Sequence, residues 1–159
     1  MLVCLFEPDI AQNTGSMIRL CACMGTPLHI IEPCGFPFDD KRMRRVAMDY
    51  FDIVSLTRHL SWKQFLEWKQ YIDPSQNQSP KRLVLLTTRG TQSFTDFAFR
   101  PNDILLLGRE SSGVPDEVRA AADASVKIPV QSGARSLNLV QAASMVLSEA
   151  LRQTNGLPG

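Results

Sequence analysis

Three short segments of the 159-residue chain hold residue types that could do chemistry. Gly108-Arg109-Glu110-Ser111-Ser112-Gly113 follows the apolar run Ile104–Leu107 and precedes a helix expected after Pro115. A glycine loop between a strand and a helix is where α/β proteins tend to hold ligands, because glycine lets a ligand approach the backbone closely. The spacing is G-x-x-x-x-G, but Val114 and Pro115 stand where a triphosphate-binding loop needs Lys and then Ser or Thr. No G-x-G-x-x-G occurs anywhere, which removes the usual dinucleotide fingerprint. The second segment runs from Ile128-Pro129-Val130 to Arg135-Ser136-Leu137-Asn138-Leu139: a strand end, a polar loop and the start of an apolar helix. The third is Asn13-Thr14-Gly15 with Arg19, an arginine on the first turns of a helix beside a polar loop. Taken alone, each has a plain structural reading: a tight turn for the glycine loop, an N-cap for Ser136, a solvated charge or surface ion pair for Arg19.

Seventeen basic residues against sixteen acidic ones leave a formal net charge of +1, so the global field neither demands nor excludes a polyanionic partner. Any such contact must be a local patch. Lys41, Arg42, Arg44 and Arg45 supply one, with Arg58 and His59 as extensions. On a helix, Met43, Val46 and Ala47 can face the core while Arg42 and Arg45 stand outside one turn apart. Without further support a charge run is a solvated face. The four cysteines, Cys4, Cys21, Cys23 and Cys34, lack C-x-x-C spacing and sit in apolar stretches, which suits free buried thiols in a reducing compartment and neither zinc nor disulfides. Glu7 and Asp9 follow the apolar N-terminus at once, with no basic flank and no stretch long enough for a signal or membrane span, so a cytoplasmic protein is expected.

The elements that must position these segments follow from periodicity. β-rich runs at Leu2–Phe6, Leu28–Ile31, Ile53–Leu56, Leu83–Thr87, Ile104–Leu107 and Val126–Ile128 are separated mostly by helical patterns, as in an α/β fold with a mostly parallel sheet flanked by helices. The length suits one domain over residues 1–159. Asn13 or Thr14 can cap a helix that runs to Met24 and stops at Gly25. Ser61 with Gln64 forms a capping box ahead of Phe65, Leu66 and Trp68, and Asp39 with Asp40 starts the Lys- and Arg-rich helix. Trp62 and Trp68 are expected in the core or an interface, and Asp73–Lys81, without apolar periodicity, reads as a surface loop. The last helix, Leu137 to Gln153, is apolar around more of its circumference than one packing stripe requires. Ala142, Ala143 and Ser144 allow close approach of another helix, either within this domain or from a second subunit.

All three segments occur in one short chain, in this order, and as a set the chain resembles the SPOUT superfamily of RNA methyltransferases in its ribose 2′-O branch. The similarity runs nearly end to end. Further stretches, Leu28-His29-Ile30-Ile31-Glu32-Pro33, Asp39-Asp40-Lys41-Arg42 with Arg44-Arg45, and Leu86-Thr87-Thr88-Arg89-Gly90, resemble the small subgroup that modifies the tRNA wobble nucleotide, a cytidine or modified uridine, as in leucine tRNA isoacceptors. Ser148 departs from it, standing where a tyrosine is often found, and the 73–81 loop is longer than in compact members.

The resemblance implies a C-terminal deep trefoil knot and a homodimer joined through the C-terminal helix and the helix carrying Arg19. It implies S-adenosylmethionine as methyl donor, S-adenosylhomocysteine as product and no metal. Leu86, Thr87, Gly108, Ile128, Ser136 and Leu137 would contact the cofactor, largely through backbone groups. Lys41, Arg42, Arg44 and Arg45 would hold tRNA. Arg19, Asn13, Glu110 and Asn138 would form the catalytic set. A guanidinium is effectively never deprotonated. Arg19 is therefore expected to grip an RNA phosphate and polarise the ribose hydroxyl, leaving the phosphate or water to take the proton. Asn13 and Asn138 would orient the ribose or Arg19, and Glu110 would position Arg19 or close its own loop by accepting backbone N–H groups. Two other functions fit the same residues: methylation of ribosomal RNA or another tRNA position, and a non-catalytic RNA-binding or assembly protein that keeps the fold.

Overall fold

The computed structural model describes residues 1–71 and 81–159, so the expected loop Asp73–Lys81 lies, apart from Lys81, outside the described residues. Among the described residues seven strands form a parallel sheet: β1 (Leu2–Phe6), β2 (Leu28–Ile31), β3 (Leu56–His59), β4 (Arg82–Leu86), β5 (Gln92–Ser93), β6 (Asp103–Leu107) and β7 (Ala124–Lys127). Their order across the sheet is β3-β2-β1-β6-β4-β7-β5. The helices are α1 (Ala11–Cys23), α2 (Asp40–Ala47), α3 (Trp62–Gln70), α4 (Asp116–Ala120) and α5 (Leu139–Gln153). The expected α/β class and parallel sheet are therefore the observed ones.

β2 and β6 are buried along their whole length, as continuous apolar runs covered on both faces should be. Side chains alternate across the sheet, giving two core layers. Val3, Leu5, Ile30, Leu105 and Leu107 meet Met17, Ile18, Val146 and Leu147 on one side. Cys4, Phe6, Ile31, Leu83, Leu85 and Leu106 meet Phe65 and Val118 on the other. Trp62 and Trp68 are half-buried against this second layer, as expected.

Several local expectations change. β3 begins at Leu56, because a 3-10 turn at Met48–Asp52 precedes it and Ile53 is exposed. Residues 58 and 59 are thus strand residues: His59 is buried and hydrogen-bonded to His29, while Arg58 pairs with Glu32 at 2.8 Å, so neither extends the basic patch freely. α1 starts earlier than expected, with Ile10 in the cap position and no side-chain cap, which leaves Asn13 inside the first turn with its amide free for other work. Ser136 is not an N-cap either. α5 begins at Leu139, and Asn138 Oδ1 accepts the Val140 N–H at 2.8 Å. The other caps are as expected: Asp39 accepts from Arg42 N–H, Ser61 accepts from Gln64 N–H, and Gln64 Oε1 in return takes the Leu60 N–H. Cys4 and Cys21 are buried, but Cys34 is half-buried and Cys23 exposed. The edge strand β5, two polar residues long, carries too little pattern to be foreseen. Among the described residues no helix is long and apolar enough to cross a membrane.

Candidate active site

Parallel strands present their C-terminal ends to one side, where the loops that follow them converge. The loops after β6, β4 and β7 meet the first turns of α1 and α5 around a cavity of about 560 Å³. That volume falls in the usual range for small-molecule and cofactor sites, roughly 300–1,000 Å³. Leu86 and Thr87 line it from β4, Gly108 and Glu110 from the glycine loop, Ile128 from the end of β7, and Ser136, Leu137 and Asn138 from the loop before α5. Asn13 lines it from α1. All six expected cofactor contacts and three of the four expected catalytic residues therefore share one cavity.

The walls are shaped for close approach to backbone. A Cβ on Gly108 would lie 2.5 Å from the carbonyl carbon of Gly113. The glycine loop is pinched shut by two hydrogen bonds, Arg109 N–H to Gly113 O at 2.8 Å and Gly113 N–H to Arg109 O at 2.9 Å. Apolar Leu85, Leu107 and Ile128 beside these peptide groups suit a ligand with a flat heterocycle and hydrogen-bonding edges.

A string of hydrogen bonds joins the three segments. Glu110 Oε2 accepts the Asp9 N–H at 2.8 Å, and its Oε1 accepts from Asn13 Nδ2 at 3.2 Å. Asn13 Oδ1 in turn accepts from Asn138 Nδ2 at 3.2 Å. Glu110 is expected either to position Arg19 or to close its own loop; its carboxylate instead accepts from the Asp9 N–H and from Asn13, joining the glycine loop to the segment that leads into α1. Asp9 was not singled out by the sequence, yet its carboxylate takes Arg109 Nε at 3.0 Å and the Ser111 N–H at 3.1 Å, together with Ser111 Oγ. The hydroxyl of Ser111 is the chief reason its carboxyl sits below the ordinary value. Arg109 also reaches Glu7 Oε2 at 3.1 Å. These partners lie about a hundred residues apart in sequence, and only an acidic residue at the end of an apolar strand hinted at them.

Arg19 stands elsewhere. It is exposed, its guanidinium lies 5.0 Å from the ring centre of Tyr50, and it does not line the cavity. Six residues beyond Asn13, it is about 9 Å farther along the helix axis. Lys41, Arg42, Arg44 and Arg45 are all exposed on α2. Arg44 pairs with Asp52, and Arg42 lies 5.8 Å from the ring centre of Phe36. Arg135, an exposed basic residue that sequence reasoning leaves without a role, also lines the cavity. Three of the four thiols are poorly disposed to attack: burial pushes Cys21 and Cys34 up to about 12, and Cys4 is raised as well. Among the described residues no group of three or more His, Cys, Asp or Glu stands together to hold a metal.

Comparison with known proteins agrees with this geometry. A protein from Beijerinckia indica named tRNA (cytidine(34)-2′-O)-methyltransferase is 53% identical over 156 residues, 98% of this chain and 93% of the relative. The protein of that name from Escherichia coli K12 is 42% identical over 99% of this chain and 95% of its own length. A solved structure described as giving structural insights into the 2-OH methylation of C/U34 on tRNA superposes with a TM-score of 0.85 at 38% identity, covering 97% of this chain and 95% of that one. The SpoU methyltransferase AviRb from Streptomyces viridochromogenes, solved with AdoMet, gives 0.85 at 28% identity, covering 96% of this chain and 57% of that one. Residues 1–148 match the SpoU rRNA Methylase family, and with near-complete coverage on both sides the chain belongs to that family.

Proposed function

We propose that this chain is an S-adenosylmethionine-dependent tRNA ribose 2′-O-methyltransferase that acts on the wobble nucleotide of the anticodon, a cytidine or modified uridine. The observation that carries the reading is the meeting of Gly108, Ser136 and Asn13, far apart in sequence, around one cavity of cofactor size. The relatives' names supply the substrate class.

When bound, the cofactor supplies an electrophilic sulfonium methyl. The residues of this chain must hold a weakly nucleophilic hydroxyl in line with it and help the proton leave. Leu86, Thr87, Gly108, Ile128, Ser136 and Leu137 hold the donor, chiefly through peptide groups and apolar contact. Asn13 and Asn138, fixed by each other and by Glu110, face the cavity and orient the ribose. Lys41, Arg42, Arg44 and Arg45 neutralise tRNA phosphates, which makes binding weaken as salt rises. In this reading the C-terminal segment is threaded as a deep trefoil knot, as in the SPOUT enzymes the chain resembles.

A homodimer gives Arg19 its place. Residues 129–138, of which Val130 and residues 135–138 line the cavity, are exposed throughout in the single chain, as are Ile10 and Met145 at the neighbouring helices. A second copy seated on α1 and α5 would cover these groups, exclude water and bring its Arg19 to this cavity. There the guanidinium would grip an RNA phosphate and polarise the hydroxyl.

The test combines calorimetry with S-adenosylhomocysteine, sedimentation, and mapping of 2′-O-methyl groups on tRNA from a deletion strain with and without complementation. The expected results are cofactor binding, a dimer, and a wobble methyl group restored by the wild type but not by Arg19→Ala, which should still bind the cofactor. A methyl group restored on ribosomal RNA or at another tRNA position would overturn the substrate. No heat with S-adenosylhomocysteine would overturn the enzyme.

A further inference from the structure

We propose that Asp9 is a positioning residue that locks the glycine loop to the corner between β1 and α1, so that the cofactor-facing and ribose-facing walls of the cavity are set as one unit. The inference rests on the assignment of this cavity to the methyl donor.

Asp9 does not line the cavity, yet its bonds cross to the loop that does. Oδ1 accepts from Arg109 Nε at 3.0 Å, Oδ2 accepts from Ser111 N–H at 3.1 Å and from Ser111 Oγ, and the Asp9 N–H is donated to Glu110 Oε2 at 2.8 Å. Three consecutive loop residues are thus tied to one residue of the corner, immediately after Gly108. The corner itself is held in an uncommon shape. Glu7 has φ +43°, a left-handed conformation that is disfavoured for a side chain with a Cβ, and its carboxylate accepts from the same Arg109 at 3.1 Å. Arg109 therefore sits between Glu7 and Asp9, and with its charge offset it serves as a tie rather than as a free cation for an anionic ligand. If the Asp9 carboxylate is removed, Arg109 and Ser111 lose their anchor and the loop carrying Gly108 and Glu110 gains freedom. Cofactor affinity then falls first, because the cofactor contacts that loop directly.

The experiment measures S-adenosylhomocysteine binding by calorimetry and steady-state methyl transfer to tRNA for Asp9→Ala, Asp9→Asn and Ser111→Ala. Asp9→Ala should weaken S-adenosylhomocysteine roughly tenfold and raise the KM for S-adenosylmethionine in step, while the KM for tRNA stays within about twofold. Asp9→Asn, which keeps an acceptor but loses the charge, should fall between it and the wild type. Ser111→Ala, at an exposed position, should weaken the cofactor about threefold and keeps the inference testable if Asp9→Ala fails to fold. Wild-type cofactor affinity in both alanine variants overturns the proposal, as does an equal rise in both KM values. Failure of the wild type to bind S-adenosylhomocysteine would instead overturn the assignment of the cavity, and this inference with it.

Discussion

His29 and His59 are the chain's only histidines, and they face each other in adjacent strands with Nδ1 and Nε2 2.8 Å apart. Both are buried, 5% and 3% exposed, and Trp68 packs on both rings at 4.3 and 5.4 Å. One neutral ring can donate to the other, so the pair is satisfied without charge. Burial disfavours the imidazolium and brings His29 down from 6.5 to about 4, helped by the neighbouring His59 and Lys81; burial lowers His59 too. The unfolded chain therefore binds protons that the folded chain refuses, and stability is full above pH 6.5 and falls as pH drops toward 4. At 1.36 kcal/mol per pH unit, the difference between 6.5 and about 4 for His29 amounts to at most about 3–4 kcal/mol. Against a typical total of about 5–15 kcal/mol that loss is large. The carboxylates held below their ordinary values, Asp9, Asp123 and Glu149, the last lowered from 4.5 to about 2, weaken the fold mainly below about pH 4.5, so losses at pH 6.0 and 5.0 belong to the histidines. Urea unfolding at pH 7.5, 6.0, 5.0 and 4.5 reads the loss directly. The variant His29→Leu/His59→Leu, which removes both polar partners together, should be nearly flat over that range. A wild type equally stable at pH 7.5 and 4.5, or a double variant that falls as steeply, would refute the reasoning.

Further outcomes follow from other parts of the molecule. Gly108→Ala should abolish S-adenosylhomocysteine binding in calorimetry, because its methyl group would press on Gly113 backbone at 2.5 Å. Gly25→Ala, with open space but φ +60°, should cost about 1 kcal/mol in urea unfolding and leave cofactor affinity unchanged. Asp103 is fully buried and accepts from Arg82 Nε, Arg82 Nη2 and the Arg100 N–H, so Asp103→Ala should destabilise the fold by about 3–5 kcal/mol in the same assay. Lys41→Ala with Arg45→Ala should weaken tRNA binding and reduce the slope of log affinity against log salt by about 2, with S-adenosylhomocysteine binding unaffected.

How much of this was legible in the sequence depended on the range of the interaction involved. The sheet announced itself through apolar runs such as Leu28–Ile31 and Ile104–Leu107, because strands covered on both faces need no polar alternation. Caps made within a few residues, at Asp39 and Ser61, were equally readable. Ser136 is the cap that the sequence suggests for the last helix, but Asn138, two residues on, takes that place. The tertiary bond from Asn138 to Asn13 accompanies the outcome. β3 lies later than expected because Ile53 and Val54 look like a strand, whereas they follow the 3-10 turn at Met48–Asp52 with their N–H groups donated to Tyr50 O, and the run from Leu56 to His59 forms the strand. The expected cofactor contacts came from the family resemblance: Gly108, Ile128, Ser136 and Leu137 lie in the three ordered segments, and Leu86 and Thr87 in a further matching stretch. The ties made by Asp9, Glu7 and Arg109 did not, because hydrogen bonds across a hundred residues leave no periodic trace.

Asn138 answers to two masters through the two atoms of one amide. Its oxygen begins the last helix, and its nitrogen donates to Asn13 on α1, which also lines the cavity. Aspartate, serine and threonine start helices comparably well, but none carries the second N–H that this string requires. The choice of residue at the mouth of α5 is thus narrowed by the site and not by the helix. A substitution there could pass every check on folding while leaving Asn13 turned away from whatever it must hold.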